Sequence, residues 1–520
     1  MNHFSEIKPV LNKLSRLNVY DSLDVVSRYM RDSLAGGSKK AITDVNSPEY
    51  NAIEVYFADF LIENIIIYST DGKGDLSLRD LNTRFQICRP IAELSNKVNQ
   101  ILNDPEPLVA IVAYINNQTN IHRPSNVLVE FYRYYRLYDS PRIREYVKDK
   151  FGYSLRQYFQ ISLYIYACFC KDHIHRLESY LFQTDFKDDS YKLTLRQLLN
   201  SISLELQDIK ELCKDYRSYE TERIFHYGND APHIMYPLIR CHQGYCCVMP
   251  EYILSSLLEG VYYKLDMPNA SQELIAEFGH NFEVYTGDIL EHELKGSTVS
   301  YCSEISYDYG KTKNQKTSDW IIWDDRGICF LDCKAKRMSR EGKRATTVND
   351  TVIDQIVSEQ PFSSTKKKER IDSLPQGIEK DLVTLGISVG KILASYDEYS
   401  EGKIDVFPYK SGLKGYVCLL TIEDAYINTP EYRNRILRVA QSYRNYKSKR
   451  VIPIDNNQVK LISVRMLESN ADRLPQLGVC DYFDTIQKSN KEGEHKTQDF
   501  LKEKFTKELY DPLLSDIITT

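Results

Sequence analysis

The stretch TSDWIIWDDRGICFLDCKAKR, residues 317–337, constrains the fold more than any other part of the chain. Two apolar, β-branched and aromatic runs, WIIW and GICFL, flank the turn-forming DDRG. Runs of that kind joined by a short polar turn read as a β-hairpin. Folding it about the 325–326 peptide puts Asp319 opposite Asp332, within one residue if Gly327 makes a bulge. Residues directly opposite on an antiparallel pair have Cβ atoms roughly 5 Å apart. Strand period two sends Asp332 and Lys334 to the same face. Two carboxylates and one ammonium thus converge inside an otherwise apolar element, where charge is costly to bury.

That convergence suits metal-assisted phosphodiester hydrolysis. Carboxylates hold Mg²⁺ or Mn²⁺, a metal of this kind polarises a phosphoryl oxygen, and a lysine positions or deprotonates the attacking water. A third carboxylate is expected from the helix in ELIAEFGHNFEVYTGD. Leu274, Phe278, Phe282 and Tyr285 form its core stripe, and the small Ala276 and Gly279 share an adjoining stripe with Glu283. Those small residues would let the helix approach the sheet while Glu283 reaches the metal. Glu277, on a more polar stripe, ranks second. The simpler alternative is structural: Asp319 as a surface strand cap, and Asp332–Lys334 as a plain, partly buried ion pair.

Around the hairpin the order is helix (271–294), three meandering strands, helix (349–360 and 377–399), then late strands at GYVCLLTIED and VKLISVRML, an α/β/α layering. Residues 1–225 read as mainly helical from apolar repeats at three and four. SPRIREYVKDKF supplies an N-cap at Ser140 and Pro141 at the first helical position. Tyrosine-rich FYRYYRLYDSPRIREY is read as an amphipathic helix with a tyrosine core face rather than as a stacking surface for single strands. Residues 226–265 form a connector expected to pack on the α/β domain, which spans 266–480, and 481–520 form a closing helix. The fold class is therefore multidomain: a helical N-terminal region, for sensing, oligomerisation or partner binding, and an α/β C-terminal domain with a mixed central sheet.

Asp319, then Asp332-Cys333-Lys334 on the next strand, with Glu283 on the preceding helix, resembles the PD-(D/E)xK (restriction-endonuclease-like) nuclease superfamily over roughly 270–425. Ser318 stands where that family has proline. The resemblance implies a Mg²⁺-dependent nuclease with Asp319, Asp332 and Glu283 as metal ligands, Lys334 as the catalytic lysine, and Gln355 as the polar residue of the following helix. The alternative class is a non-catalytic scaffold that keeps the nuclease fold. By analogy, a nuclease joined to a large helical region suggests anti-phage defence.

The partner expected is nucleic acid, DNA before RNA. The net charge of −6 excludes a wholly basic coat, but Lys336, Arg337, Arg340, Lys343 and Arg344 form a basic tract beside the site, followed by KKKER at 366–370, of the kind that neutralises backbone phosphates. GISVGK (386–391) is not a P-loop: it has three residues between its glycines and Ile392 after the lysine. CHQGYCC (241–247) has zinc donor types in Cys241, His242, Cys246 and Cys247 but no CxxC pair. The N-terminal residues lack a continuous apolar stretch of signal type, and the longest apolar run, 158–170, is too short to span a bilayer. With twelve cysteines lacking framework spacing, this points to a cytoplasmic protein with reduced thiols.

Overall fold

A computed structural model of the chain describes residues 4–35, 55–98, 126–170, 174–217 apart from 184, 185 and 187, 231–265 and 267, 271–309, 312–404 apart from 336, 340, 341, 343, 344 and 346, 412–423, 429–487 and 496–512. The first half is mainly helical, as the periodicity predicts. Ser140 caps the Pro141–Phe151 helix by accepting from the Ile143 N–H, with Pro141 at the first turn. The Val127–Tyr138 helix turns Tyr132, Tyr134, Tyr135 and Tyr138 into the core, so the tyrosine-rich segment is a packing face.

The helical half also contains short strands. β1 (His175–Leu177), β2 (Ser203–Glu205), β3 (Leu238–Cys241) and β4 (Gly244–Cys247) form one sheet in the order β1-β4-β3-β2. The connector therefore does not simply pack forward. Its hairpin pairs with β1 and β2, which belong to the preceding residues, and is knitted into that half.

The second half is built on a five-stranded mixed sheet. β5 (Ser300–Ser303) leads into a side hairpin of β6 (Ser306–Tyr309) and β7 (Thr312–Lys316). β8 (Trp320–Trp323) and β9 (Gly327–Lys334) come next, and then β10 (Lys414–Thr421) and β11 (Val459–Ser463). The order is β11-β10-β9-β8-β5. β5, β8 and β9 form an antiparallel meander, while β9, β10 and β11 run parallel.

Helices cover both faces. On one side the Gln272–Leu294 helix packs with Cys329, Leu331 and Cys333; on the other, the Ile378–Ser400 helix packs with Ile328 and Phe330. Gly386 and Gly390 of GISVGK have a role unrelated to phosphate loops: a Cβ at either would collide with Val439 or Tyr443. They allow the Pro430–Ser448 helix to lie close against Ile378–Ser400.

A buried charged network joins the halves. Arg133, 1% exposed, donates to Glu468 (2.7 Å) and Glu130 (2.9 Å), and Glu468 also accepts from the Tyr285 hydroxyl (2.8 Å). Arg465 bridges Glu130 (2.6 Å) and Glu259 (3.2 Å). Among the described residues no helix is long and apolar enough to cross a membrane, and all twelve cysteines are free thiols.

Candidate active site

The DDRG turn sets the register. Asp324 Oδ1 accepts from the N–H groups of Arg326 (2.8 Å) and Gly327 (2.7 Å), while its Oδ2 accepts from Val479 N–H (2.7 Å), pinning the turn to the Leu474–Thr485 helix. Trp320 then pairs with Leu331 and Trp323 with Ile328. Continued one step past the last pair, that register brings Asp319, in the bend just before β8, level with Asp332. Asp332 sits on the same face as Ile328 and Phe330, next to Leu419 of β10. That is the face covered by the Ile378–Ser400 helix.

The charged groups meet there. Lys334 Nζ lies 2.5 Å from Asp332 Oδ2. Asp319 Oδ2 accepts from the Cys333 backbone N–H at 2.6 Å. Burial, reinforced by the Asp332 charge, pushes the Asp319 carboxyl up to about 8, against the opposing pull of the Cys333 N–H and Lys334. Burial disfavours the Lys334 charge, but Asp332 and Asp319 outweigh it and hold the ammonium above its ordinary value.

Glu283 approaches from the other side of the sheet. Its helix packs on the opposite face, and the Trp320 indole N–H donates to the Glu283 backbone carbonyl at 3.3 Å. Its carboxylate raises the Asp319 pKa, yet it is 38% exposed and 3.3 Å from His280 Nδ1. Asp319, Asp332 and Glu283 do not form a cluster within 4.8 Å of one another. Asp332 is turned to Lys334 and Asp319 to the backbone, so the three carboxylates share a region rather than a single point. Glu277 is remote from this region: Ser140 donates to it and Arg142 lies 3.3 Å away.

The small residues Ala276 and Gly279 do not bring the helix to the sheet. Ala276 is exposed, and a Cβ at Gly279 would meet nothing within 4 Å. The close approach is at Gly287, where a Cβ would collide with the Trp320 ring. Helix and hairpin therefore meet further along the helix than the small-residue stripe suggests, through an indole over a glycine.

Arg337 also departs from its expected role. Its guanidinium donates to the Glu259 carbonyl and the Tyr134 hydroxyl and lies 3.4 Å from Glu423. It is directed inward, toward the helical half, rather than toward an open groove. Lys336, Arg340, Lys343 and Arg344 lie outside the described residues. Gln355 is exposed on the Asp350–Glu359 helix, which packs on the two long helices rather than on the sheet.

Two cations at the site are not evident from the sequence pattern. Lys391, exposed on the Ile378–Ser400 helix, has its ammonium lowered by the partial desolvation of its surroundings and by the charges of Lys367 and Lys334, while Asp332 opposes the shift. Lys316, 2.7 Å from Glu304, also feels Glu283 and Asp319. The one sequence signal for Lys391 is its position beside Gly390: a helix held close by glycines places the next residue on a neighbouring, partly open stripe. In CHQGYCC, successive Cys246 and Cys247 point to opposite faces of β4 and His242 is exposed in the turn. No metal cluster forms there among the described residues.

The donor set fits a hard divalent cation. Asp319 and Asp332 offer carboxylate oxygens, the donor type Mg²⁺ prefers. An Asp whose ionisation is opposed by burial and by a like charge is the group whose ionisation a cation restores. No family model, curated protein or solved structure matches the chain.

Proposed function

We propose that this chain is a metal-dependent nuclease of the PD-(D/E)xK type, hydrolysing phosphodiester bonds with DNA as the favoured substrate. The observation that carries this reading is that Asp319 and Asp332 lie near enough for the charge of one to act on the other, with Lys334 against Asp332. The strand order and the helix before the meander support the restriction-endonuclease-like fold. Asp319 and Asp332 would hold Mg²⁺ or Mn²⁺, with Glu283 contributing from across the strand end. The ion would supply Lewis-acid polarisation of the phosphate and a water of lowered pKa. Lys334, which Asp332 and Asp319 keep protonated, would offset charge on the phosphorane and orient the water. The twelve free thiols fit a reducing compartment such as the cytoplasm. The helical half, docked through buried charge, would serve partner binding or oligomerisation, and defence against phage is the setting we favour by analogy.

One observation favours a second reading. The 2.5 Å Asp332–Lys334 contact is what a plain ion pair in a non-catalytic scaffold would also show. Cleavage of plasmid, linear duplex, single-stranded DNA and RNA in Mg²⁺ or Mn²⁺ separates the two. The nuclease reading expects activity on at least one substrate, abolished by Asp332→Ala and by Lys334→Ala with nucleic-acid binding retained. No cleavage of any substrate, or cleavage indifferent to both substitutions, favours the scaffold.

A further inference from the structure

A second cluster of donor side chains lies in the helical half, on different elements from the carboxylate pair. Glu63 on the Val55–Tyr68 helix, Cys213 on Leu206–Tyr216 and His233 on Pro232–Met235 each bring one donor atom within 4.8 Å of the other two. All three residues are 0% exposed. Three separate helices, the first distant in sequence from the other two, thus deliver an oxygen, a sulfur and an imidazole nitrogen to one buried point.

The neighbours of the cluster are arranged as metal sites arrange theirs. Asp59, one helical turn before Glu63, lies 3.3 Å from His233 Nε2 and also accepts from the Tyr252 hydroxyl. A carboxylate on one ring nitrogen fixes the imidazole tautomer and turns the other nitrogen to the metal. The His233 backbone N–H acts on Cys213 in the direction that favours its thiolate, against the larger opposing effect of burial. The Arg217 guanidinium lies against one oxygen of Glu63, and a carboxylate has a second oxygen with which to ligate.

We propose that Glu63, Cys213 and His233 bind a borderline-soft divalent cation of the zinc type, which clamps the three helices where the connector hairpin joins the helical half. A mixed S, N, O set selects such a cation over Mg²⁺, which takes oxygen donors and keeps its waters. Three protein ligands leave a fourth position for a small ligand such as water. His233 lies shortly before β3 in the chain, so the clamp would fix the entry of the connector hairpin into its sheet. This inference does not rest on the nuclease reading.

Elemental analysis of the full-length, untagged chain, purified without chelator, tests it. The expected content is about one equivalent of zinc per chain, since structural zinc binds tightly at neutral pH. After zinc removal, Co²⁺ should produce thiolate-to-cobalt absorption in the near ultraviolet. Cys213→Ser should lose that absorption, and Asp59→Asn should weaken binding about tenfold or more. Asp332→Ala should retain full zinc, which keeps this outcome separate from that of the carboxylate site. Wild type lacking bound zinc and giving no cobalt–thiolate band would overturn the proposal. So would a band unchanged in both Cys213→Ser and His233→Ala. If the variants fail to fold, wild-type zinc content and cobalt spectrum decide alone.

Discussion

Asp319→Asn tests the carboxylate pair through stability, independently of any substrate. Asparagine keeps the shape and still accepts from the Cys333 N–H, and the Asp332–Lys334 contact is untouched. The folded protein holds the Asp319 carboxyl up at about 8 from an ordinary 3.8. A carboxyl whose pKa is raised on folding contributes fully below its unfolded pKa, and that contribution is lost as pH rises toward the folded value. The loss can reach about 1.4 kcal/mol per pH unit across the window from 3.8 to about 8. Asp319 is only partly buried and shares its charge with Asp332 and Lys334, so we expect a total of about 2–3 kcal/mol rather than the full product. Without metal, Asp319→Asn should therefore match wild type near pH 4 and exceed it by that margin at pH 8. If Asp319 is a metal ligand, Mg²⁺ should close this gap, because binding to the folded state alone stabilises wild type by about 2.7 kcal/mol at one hundred times Kd, while the variant gains less. Denaturant and thermal melts at several pH values, with and without Mg²⁺, measure both effects. A variant less stable than wild type at pH 8 without metal, or one responding equally to Mg²⁺, would refute the carboxylate-pair argument.

Three other substitutions probe the surroundings. Gly287→Ala drives a methyl into the Trp320 ring and should cost about 1–3 kcal/mol, read as a lowered melting midpoint; an unchanged midpoint would mean the helix does not rest on the hairpin there. Arg133→Met leaves Glu468 without its cation in the network between the halves, while Glu130 keeps Arg465, and should cost about 3–5 kcal/mol at neutral pH. Burial already raises the Glu468 pKa, so the loss should shrink in acid, where the stranded carboxylate protonates, and a pH-independent loss would contradict the network's electrostatic role. Lys391→Ala should weaken nucleic-acid binding and reduce the salt slope of log Kd by about one if its ammonium meets a phosphate. Titrations at several salt concentrations give that slope, and an unchanged one would remove Lys391 from the substrate path.

The hairpin was legible in the sequence because every contributor to it is local. Strand period two, the DDRG turn and the apolar runs together specify which residues oppose which, and Asp319 opposite Asp332 results from counting. The core stripe of the Gln272–Leu294 helix and the Ser140 cap were legible for the same reason: periodicity and capping act over three or four residues. Contacts set by three-dimensional packing were not legible. The small stripe at Ala276 and Gly279 had the composition of a close-packing face, but Gly287 holds that place because the indole of Trp320 arrives there from another element. Arg337 had the sequence context of a phosphate contact, yet a guanidinium goes where carboxylates and carbonyls are assembled, and those come from Glu259, Tyr134 and Glu423. Lys391, the partners of Arg133, the joining of β1 and β2 to the connector hairpin, and the meeting of Glu63, Cys213 and His233 all depend on segments far apart in the chain. Charge and donor type can be read at each residue, whereas the distance between two of them is decided only when sheets and helices pack around a common core.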